Sequence, residues 1–287
     1  MTMKSTSTLA MVKAAQRDGY AVPAFNVVDN LSLTAIVAAA NQAKSPVILQ
    51  ASVKTVKSVG VGLLTAMYQA AIADSAVPVA LHLDHCPDRR VIDDVVEAGW
   101  SSVLFDASDR DLTKAIQESR EVAESAHARG LDVESEIENI VGAEDGVGSD
   151  VIAHAYDPAT VVKAAGTSGI DLIAPQLGTA HGVYHGRPKL LPERVREFRA
   201  LTDKPIVLHG GSGLTEQEFK SFIEAGVSKI NISTELKMTY MKSALTSLQD
   251  AERDQKWDPP TFFADVDENI GAMAAHFFEI FGSAGRA

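Results

Sequence analysis

Pro205–Gly213 reads PIVLHGGSG. Ile206, Val207 and Leu208 form a short apolar run of the kind that makes a buried parallel strand. The run stops at His209, and Gly210, Gly211, Ser212 and Gly213 follow. An imidazole at a strand end can bind a metal, and residues this small let backbone N–H groups come close to an anion. Thr215–Ala225 then reads as a helix. A plain strand-to-helix turn around a structural histidine accounts for the stretch equally well when it is taken alone. What lies on either side decides between the two.

The same unit repeats from end to end of the chain. Strand-like runs are Ala21–Asn26, Pro46–Gln50, Pro78–Asp84, Ser102–Asp106, Asp132–Glu136, Asp171–Pro175, Ile206–His209 and Lys229–Ile232. Helical segments alternate with them at Leu31–Ala43, Val61–Asp74, Arg89–Ala98, Leu112–Ala128, Pro158–Ala165, Pro192–Leu201 and Thr215–Ala225, and another runs from Thr234 towards Asp254. Such alternation implies parallel strands joined by right-handed crossovers. Eight near-equal units predict an α/β protein, a single (β/α)8 TIM barrel over residues 1–287, with a doubly wound open sheet as the second choice. Gly99, Gly130, Gly166 and Gly226 are placed to end helices in the left-handed conformation. Residues 257–287 form a C-terminal helical extension rich in phenylalanine, which either covers the barrel or meets another subunit.

Composition narrows the function. Hydrophobic content of 46% and charged content of 22% are those of a globular enzyme with an ample core. Cys86 is the one cysteine, so no intrachain disulfide forms, in keeping with a reducing cytoplasm. The N-terminus lacks a signal-peptide core, and no apolar run is long enough to span a membrane. A net charge of −12 argues against nucleic acid or an anionic membrane as partner. An anionic substrate would therefore need local positive potential, from a metal, helix N-termini or a few basic side chains.

His85, His181 and His209 stand at or just beyond the ends of the third, sixth and seventh strands. In a barrel those ends converge on one mouth, where three neutral imidazoles make an open, catalytic type of zinc site. Their separations of 96 and 28 residues match no local metal motif, so placement carries the reading. Asp84, beside His85, is either an orienting carboxylate or a general acid–base. His82, two residues before Asp84, reads as a packing or orienting residue. Glu134, Glu136 and Glu138 alternate along the fifth strand, which puts them on one face and calls for a cation, a histidine or a shared proton; Glu138 can also be an exposed strand end. Asp106 ends the fourth strand and can join Glu136 in a second cation site. Residues 140–155 form a long, glycine-punctuated connection fit for a lid, with Glu144 and Asp145 near its middle. KINIST, at Lys229–Thr234, runs from the eighth strand into a helix, so NIST and GGSG occupy the loops that usually cradle phosphate in a barrel. No lysine ends the sixth strand, which disfavours Schiff-base chemistry.

The ordered motifs AFNV, VILQAS, VALHLDHC, GWSSVLFDAS, VESEI with GAEDG, GTAHGVYHG, VLHGGSGL and KINISTEL, over residues 8–250, resemble the class II, metal-dependent ketose-bisphosphate aldolases. The TEL ending looks closer to the tagatose-bisphosphate branch. The resemblance implies reversible aldol cleavage of a phosphorylated ketose to dihydroxyacetone phosphate and an aldehyde. It implies one catalytic Zn2+ per subunit on His85, His181 and His209, and a monovalent cation, Na+ or K+, near the phosphate loops. Asp84 would move the proton of the substrate hydroxyl, and Glu144 that of the carbon α to the ketone. Asn231 would contact the substrate oxygens. Gly182, Gly210, Gly211, Ser212, Ser233 and Thr234 would hold the phosphate, with Ser52 and Asn26 lining the same site. A homodimer or homotetramer is expected.

Several positions depart from the family's usual pattern. Cys86 replaces a glycine, Glu138 a small residue, Asp109 the histidine of ASH, and His185 a lysine. SVKTVK at Ser52–Lys57 differs from the usual glycine turn. With most of these placed at the mouth, the aldehyde half is the variable half, and Lys54 and Lys57 are candidates for a distal anion or simply a solvated face. Two other functions fit the same residues less fully: a metal-dependent sugar-phosphate isomerase or epimerase, and a non-catalytic binding homologue.

Overall fold

The computed structural model describes residues 6–144, 147–149, 154–182 and 189–287, with strand pairing alone for 143–149. Going along the chain, the strands are β1 (Val22–Asn26), β2 (Val47–Ser52), β3 (Val79–Cys86), β4 (Ser102–Asp106), β5 (Asp132–Glu136), β6 (Gly142–Glu144), β7 (Val147–Ser149), β8 (Leu172–Ile173), β9 (Ile206–Leu208) and β10 (Val227–Ile232). All but β6 and β7 close into a parallel barrel, in the order β1-β10-β9-β8-β5-β4-β3-β2. The (β/α)8 reading of the sequence therefore holds, and each strand-like run supplies one barrel strand. β8 is the shortest of them, and its pairing to β9 consists of Ile173 opposite Ile206. β6 and β7 form a separate antiparallel pair in the connection after β5.

Alternation along the strands sorts the side chains into two layers. Outward residues such as Phe25, Leu49, Leu83, Val103, Phe105, Val133 and Ile173 pack under the helices. Inward residues at the lower end, Val22, Ala24, Ile48, Ala80, Leu172, Ala174 and Val207, form a small apolar plug. It is sealed from below by helix α1 (Thr8–Asp18), which the sequence reading did not anticipate. Met11, Val12 and Ala15 of α1 join the plug. The backbone N–H of Leu9 donates to Asp132 Oδ2 at 2.8 Å and fixes the helix to the rim. Above the plug the interior is polar, because the strands end there and open to the mouth.

The helices of the barrel wall are α2 (Asn30–Ala43), α4 (Val61–Ile72), α5 (Arg89–Glu97), α6 (Leu112–His127), α7 (Pro158–Ser168), α8 (Pro192–Leu201), α9 (Glu216–Ala225) and α10 (Thr234–Asp254), with a short α3 (Val53–Val59) between β2 and α4. Gly99, Gly130 and Gly226 have positive φ, as expected of residues that end helices. Gly166 does not: α7 continues through it to Ser168, and Gly169 takes the left-handed cap at φ 78°. Burial of Ala164, Ala165 and Ser168 keeps that last turn helical. The extension is helix α11 (Pro259–Ile280), and it covers the barrel wall through Val266, Ile270, Ala274, Phe277 and Phe278. The rings of Phe278 and Phe25 meet edge-on with centroids 5.8 Å apart.

Candidate active site

The site starts with an irregularity at the end of β3. Neighbouring residues of a regular strand point to opposite faces, so Asp84 and His85 cannot both face the barrel interior by simple alternation. Between Leu83 and Cys86 the register against β4 slips by one residue, the signature of a β-bulge. His85 takes φ 44°, in the left-handed region. This turns both side chains inward and sends Cys86 out into the barrel–helix layer, where burial pushes its thiol up to about 12. Cys86 is thus not part of the mouth that the sequence reading gave it to.

Three imidazoles meet at that level. The ring centroids of His181 and His209 each lie 4.7 Å from that of His85. Nitrogens of the three, with a carboxylate oxygen of Glu136, all fall within 4.8 Å of one another, and all four residues are buried. Carboxylates set the tautomers. His209 Nε2 lies 2.8 Å from Glu134 Oε1, which makes it the N–H and leaves Nδ1 as a lone pair. His85 Nδ1 lies 3.1 Å from Asp106 Oδ2, which leaves Nε2 as its lone pair. Those two free nitrogens face each other at 2.8 Å. Among the described residues His181 has no hydrogen-bond partner on either ring nitrogen, and Glu136 Oε2 has none. Buried polar atoms without partners are costly, and lone pairs at that distance repel unless a cation or a proton lies between them. This donor set fits a metal with imidazole ligands and with carboxylates behind them.

Without a cation, a proton on His85 takes that place. Burial pulls the His85 imidazole down, but Asp84, Asp106 and Glu136 outweigh it and raise it well above its ordinary range. Burial, then the charge of His85, hold His181 and His209 well below theirs, so both keep free lone pairs. The Glu136 carboxyl is raised well above its ordinary range by burial and by the charge of Asp106. Asp106 goes the other way: burial opposes ionisation, yet the hydrogen bond from His85 and the two from Ser108 bring it to about 2.

His181 reaches the site differently from the other two. It lies beyond the end of β8, not on a strand end, and a parallel bridge between Val141 and Ala180 holds its loop. The His181 N–H donates to Val141 O at 2.7 Å. A Cβ on Gly142, φ 96°, would lie 2.4 Å from His181 O, so the close approach needs glycine there.

Asp84 is gripped on both oxygens. Asn26 Nδ2 donates to Oδ2 at 2.7 Å and Asn231 Nδ2 to Oδ1 at 3.2 Å. Behind Asn26, Gln50 Nε2 donates to its Oδ1 at 2.5 Å. Behind Asn231 stands Lys229, which sequence reasoning missed. Its side chain is fully buried, and Nζ donates to Asn231 Oδ1 and to Glu134 Oε2, both at 2.8 Å. A lysine two residues before Asn231, on the same strand, was the available signal.

A family model for class-II fructose-bisphosphate aldolase matches residues 6–286. The chain belongs to that family. A fructose-bisphosphate aldolase from Geobacillus stearothermophilus is 36% identical over 99% of each chain. A sulfofructosephosphate aldolase from Alkalicoccus urumqiensis is 34% identical, covering 86% of this chain and 87% of its own. Among solved structures, the YdjI aldolase from Escherichia coli K12 is 28% identical with a TM-score of 0.86, over 98% of this chain and 99% of that one. The protein is thus a lyase, and its family is generally metal-dependent.

In the aldolase the remaining expected site residues fall as follows. Gly210, φ 66°, packs so tightly that a Cβ would lie 2.4 Å from Ala180 O. A Cβ on Gly211 would press on the Phe219 ring, 3.0 Å from Cε1, and lie 3.5 Å from Asn231 O of β10. Ser233 caps α10 without a side-chain cap bond, and its buried Oγ has no partner among the described residues. Thr234 begins that helix, and Gly182 follows His181. Ser52 caps α3, its Oγ accepting from Thr55 N at 3.3 Å, and it pairs in register with Asp84. Asp106 and Glu136 both adjoin His85, at 3.1 and 3.8 Å, so the residues expected to form a second cation site converge with the histidines. Of the three glutamates, Glu134 and Glu136 face inward, but Glu138 lies beyond the end of β5 and pairs with Arg194. Asp109 pairs with Arg110, and Lys57 Nζ lies 3.5 Å from Asp88 Oδ2 on the surface. Glu144 lies on β6, but its side chain, like Asp145 and His185, lies outside the described residues.

Proposed function

We propose that the enzyme cleaves a phosphorylated ketose reversibly to dihydroxyacetone phosphate and an aldehyde, with Zn2+ held by His85, His181 and His209. The carrying observation is buried His181, whose two ring nitrogens have no partner among the described residues, beside ring nitrogens of His85 and His209 that face each other at 2.8 Å. A zinc ion there would supply Lewis-acid stabilisation of the negative charge that develops on the ketone oxygen as the C–C bond breaks. Asp84, oriented by Asn26 and Asn231, takes the proton from the hydroxyl on the carbon that becomes the aldehyde. Glu144 exchanges the proton on the carbon α to the ketone, a second transfer from a different direction. Asn231 also contacts the substrate oxygens. The phosphate lies on Gly182, Gly210, Gly211, Ser212, Ser233 and Thr234, where backbone N–H groups, the buried hydroxyl of Ser233 and the N-terminus of α10 supply positive potential in an acidic protein. Ser52 lines this half. A monovalent cation, Na+ or K+, beside these loops would add to that potential.

The far end of the substrate is left to residues at the mouth. A ketose phosphate with an anionic far end, phosphate or sulfonate, suits the exposed Lys54 and Lys57 after β2. We assign the working unit as a homodimer or homotetramer in the cytoplasm. The deciding experiment couples dihydroxyacetone phosphate release to a dehydrogenase. The substrate panel holds fructose and tagatose 1,6-bisphosphates and sulfofructose phosphate, each tried with zinc-loaded and EDTA-stripped protein. Zinc-dependent release from one member supports the reading and identifies the aldehyde half. Silence from fully loaded enzyme across the panel would sink it.

A further inference from the structure

Glu138 and Arg194 form an ion pair above the barrel rim, and what they hold is unusual. The Glu138 side chain is fully buried and that of Arg194 is 14% exposed. Glu138 Oε1 accepts from Arg194 Nη2 at 2.8 Å and from the N–H of Tyr156 at 2.9 Å. Glu138 Oε2 accepts from the N–H of Gln176 at 3.2 Å. Arg194 returns to the same two residues, with Nη2 donating to Tyr156 O at 2.6 Å and Nη1 to Gln176 O. One carboxylate and one guanidinium therefore satisfy the N–H and the carbonyl of two loop residues that are far apart in sequence. A planar, forked cation suits such a double bridge, and a lysine does not. The Arg194 guanidinium also lies over the Phe198 ring, 5.3 Å from its centroid, which fixes its plane.

The two bridged residues are the feet of the two connections that carry chemistry. Tyr156 closes the connection between β5 and α7, from which β6 and Glu144 arise. Below it, the His154 N–H donates to Asn139 Oδ1 at 2.9 Å and the Asn139 N–H to His154 O at 3.3 Å. On the inner side of that foot the Ile140 N–H donates to Glu136 Oε1 at 3.0 Å. Gln176 opens the loop that ends at His181, and the loop returns to the first connection through Val141. The stretch 138–142 thus ties together the Glu136 carboxylate, the root of β6 and the backbone of His181.

We infer that the Glu138–Arg194 pair is a positioning device for the reaction. It sets the β5–α7 and β8–α8 connections in one register, so that the group exchanging the α-proton and the loop of His181 stand correctly relative to each other, though neither member of the pair touches substrate. The inference rests on the aldolase mechanism above for the role of Glu144.

The test uses zinc-saturated, full-length enzyme and two variants. R194M leaves Glu138 buried without its partner. The double variant E138Q/R194M removes both charges, so no uncompensated ion remains to unfold the protein. Five quantities are measured: kcat and KM for ketose phosphate cleavage, the rate at which dihydroxyacetone phosphate loses its α-proton to D2O by NMR, bound zinc, and the unfolding midpoint. The expected result for the double variant is zinc content and midpoint near those of the parent, KM within about threefold, and kcat and exchange rate both lower by about tenfold to a hundredfold, the scale of a misplaced catalytic group. A kcat and exchange rate within fivefold of the parent would overturn the inference, as would losses that follow bound zinc or the midpoint in proportion. Adding R194K to the series checks the fork: it should recover less than half of the lost exchange rate, whereas full recovery would show that charge alone matters. No exchange by the parent enzyme would instead indict the aldolase reading itself.

Discussion

Lys229 has no solvent exposure, and its ammonium lies between Glu134 and Asn231. Replacing it by methionine keeps the volume but leaves Glu134 as a buried, unpaired carboxylate. K229M should therefore lose about 3–5 kcal/mol of stability in denaturant unfolding. Because Glu134 fixes the His209 tautomer, the same variant should bind zinc about 10–100-fold more weakly in a chelator competition. His181 predicts the opposite balance. Its ring nitrogens have no partner among the described residues, so H181A should unfold close to the parent midpoint when both are metal-free, yet retain only a small fraction of the parent's zinc by elemental analysis. At this scale the sequence was legible wherever placement decides which residues meet: the three histidines, Asp84 and Asn231 were readable as residues at or just beyond strand ends. It was not legible where local backbone broke the rule used to read it. Period two places His85 on the face opposite Asp84, and only the bulge before Cys86 brings them together. Lys229 obeys period two and still escaped notice, because a lysine in a strand reads as an exposed edge until the facing carboxylate is known.

The elements of the barrel were readable from their alternating strand-like and helical runs, and the structure adds the caps: each wall helix that follows Asp29, Asp88, Asp111, Asp157 or Thr215 is capped by that side chain. β8 was readable only as a longer run, since most of Asp171–Pro175 pairs too briefly to count as strand and His181 arrives on a loop. Glycines report the difference between need and tolerance. Gly210 is needed: it has φ 66° and a Cβ would collide with Ala180 O. G210A should push the turn after His209 away from the loop of His181 and lower kcat/KM for dihydroxyacetone phosphate release by about tenfold or more. Gly166 is merely tolerated, inside α7 with open space around the position of a Cβ. G166A should stabilise the protein by about 0.5–1 kcal/mol, read as a rise of about 1–3 °C in the unfolding midpoint, with unchanged activity.

The whole molecule puts its polar interior at one end of the barrel and, among the described residues, most of its exposed large apolar side chains on α10, α11 and the turn between them. Met241, Leu245 and Leu248 project from successive turns of α10 and are 67%, 58% and 50% exposed. Trp257, between α10 and α11, is 64% exposed, and it lines an apolar groove with Leu248 and Phe262. Phe263, on the first turns of α11, is 46% exposed. Single exposed apolar residues need no explanation, but several together on one face are the mark of a surface that is covered. The sequence reading left α11 undecided between a cover for the barrel and a subunit contact. The buried phenylalanines answer to the first role, and the exposed residues beside them are consistent with the second. A second copy of the chain would cover such an apolar face if hydrophobic burial there outweighs the long-range repulsion between two chains of charge −12. The homodimer or homotetramer proposed above should then show in light scattering after size exclusion. M241K/L245K should shift it to a species with half the subunits or fewer, while the single barrel keeps its fold by circular dichroism. Raising the salt should strengthen the parent's assembly by screening like charges. A parent that runs as a monomer at micromolar concentration in both salts would remove this face from the account of assembly.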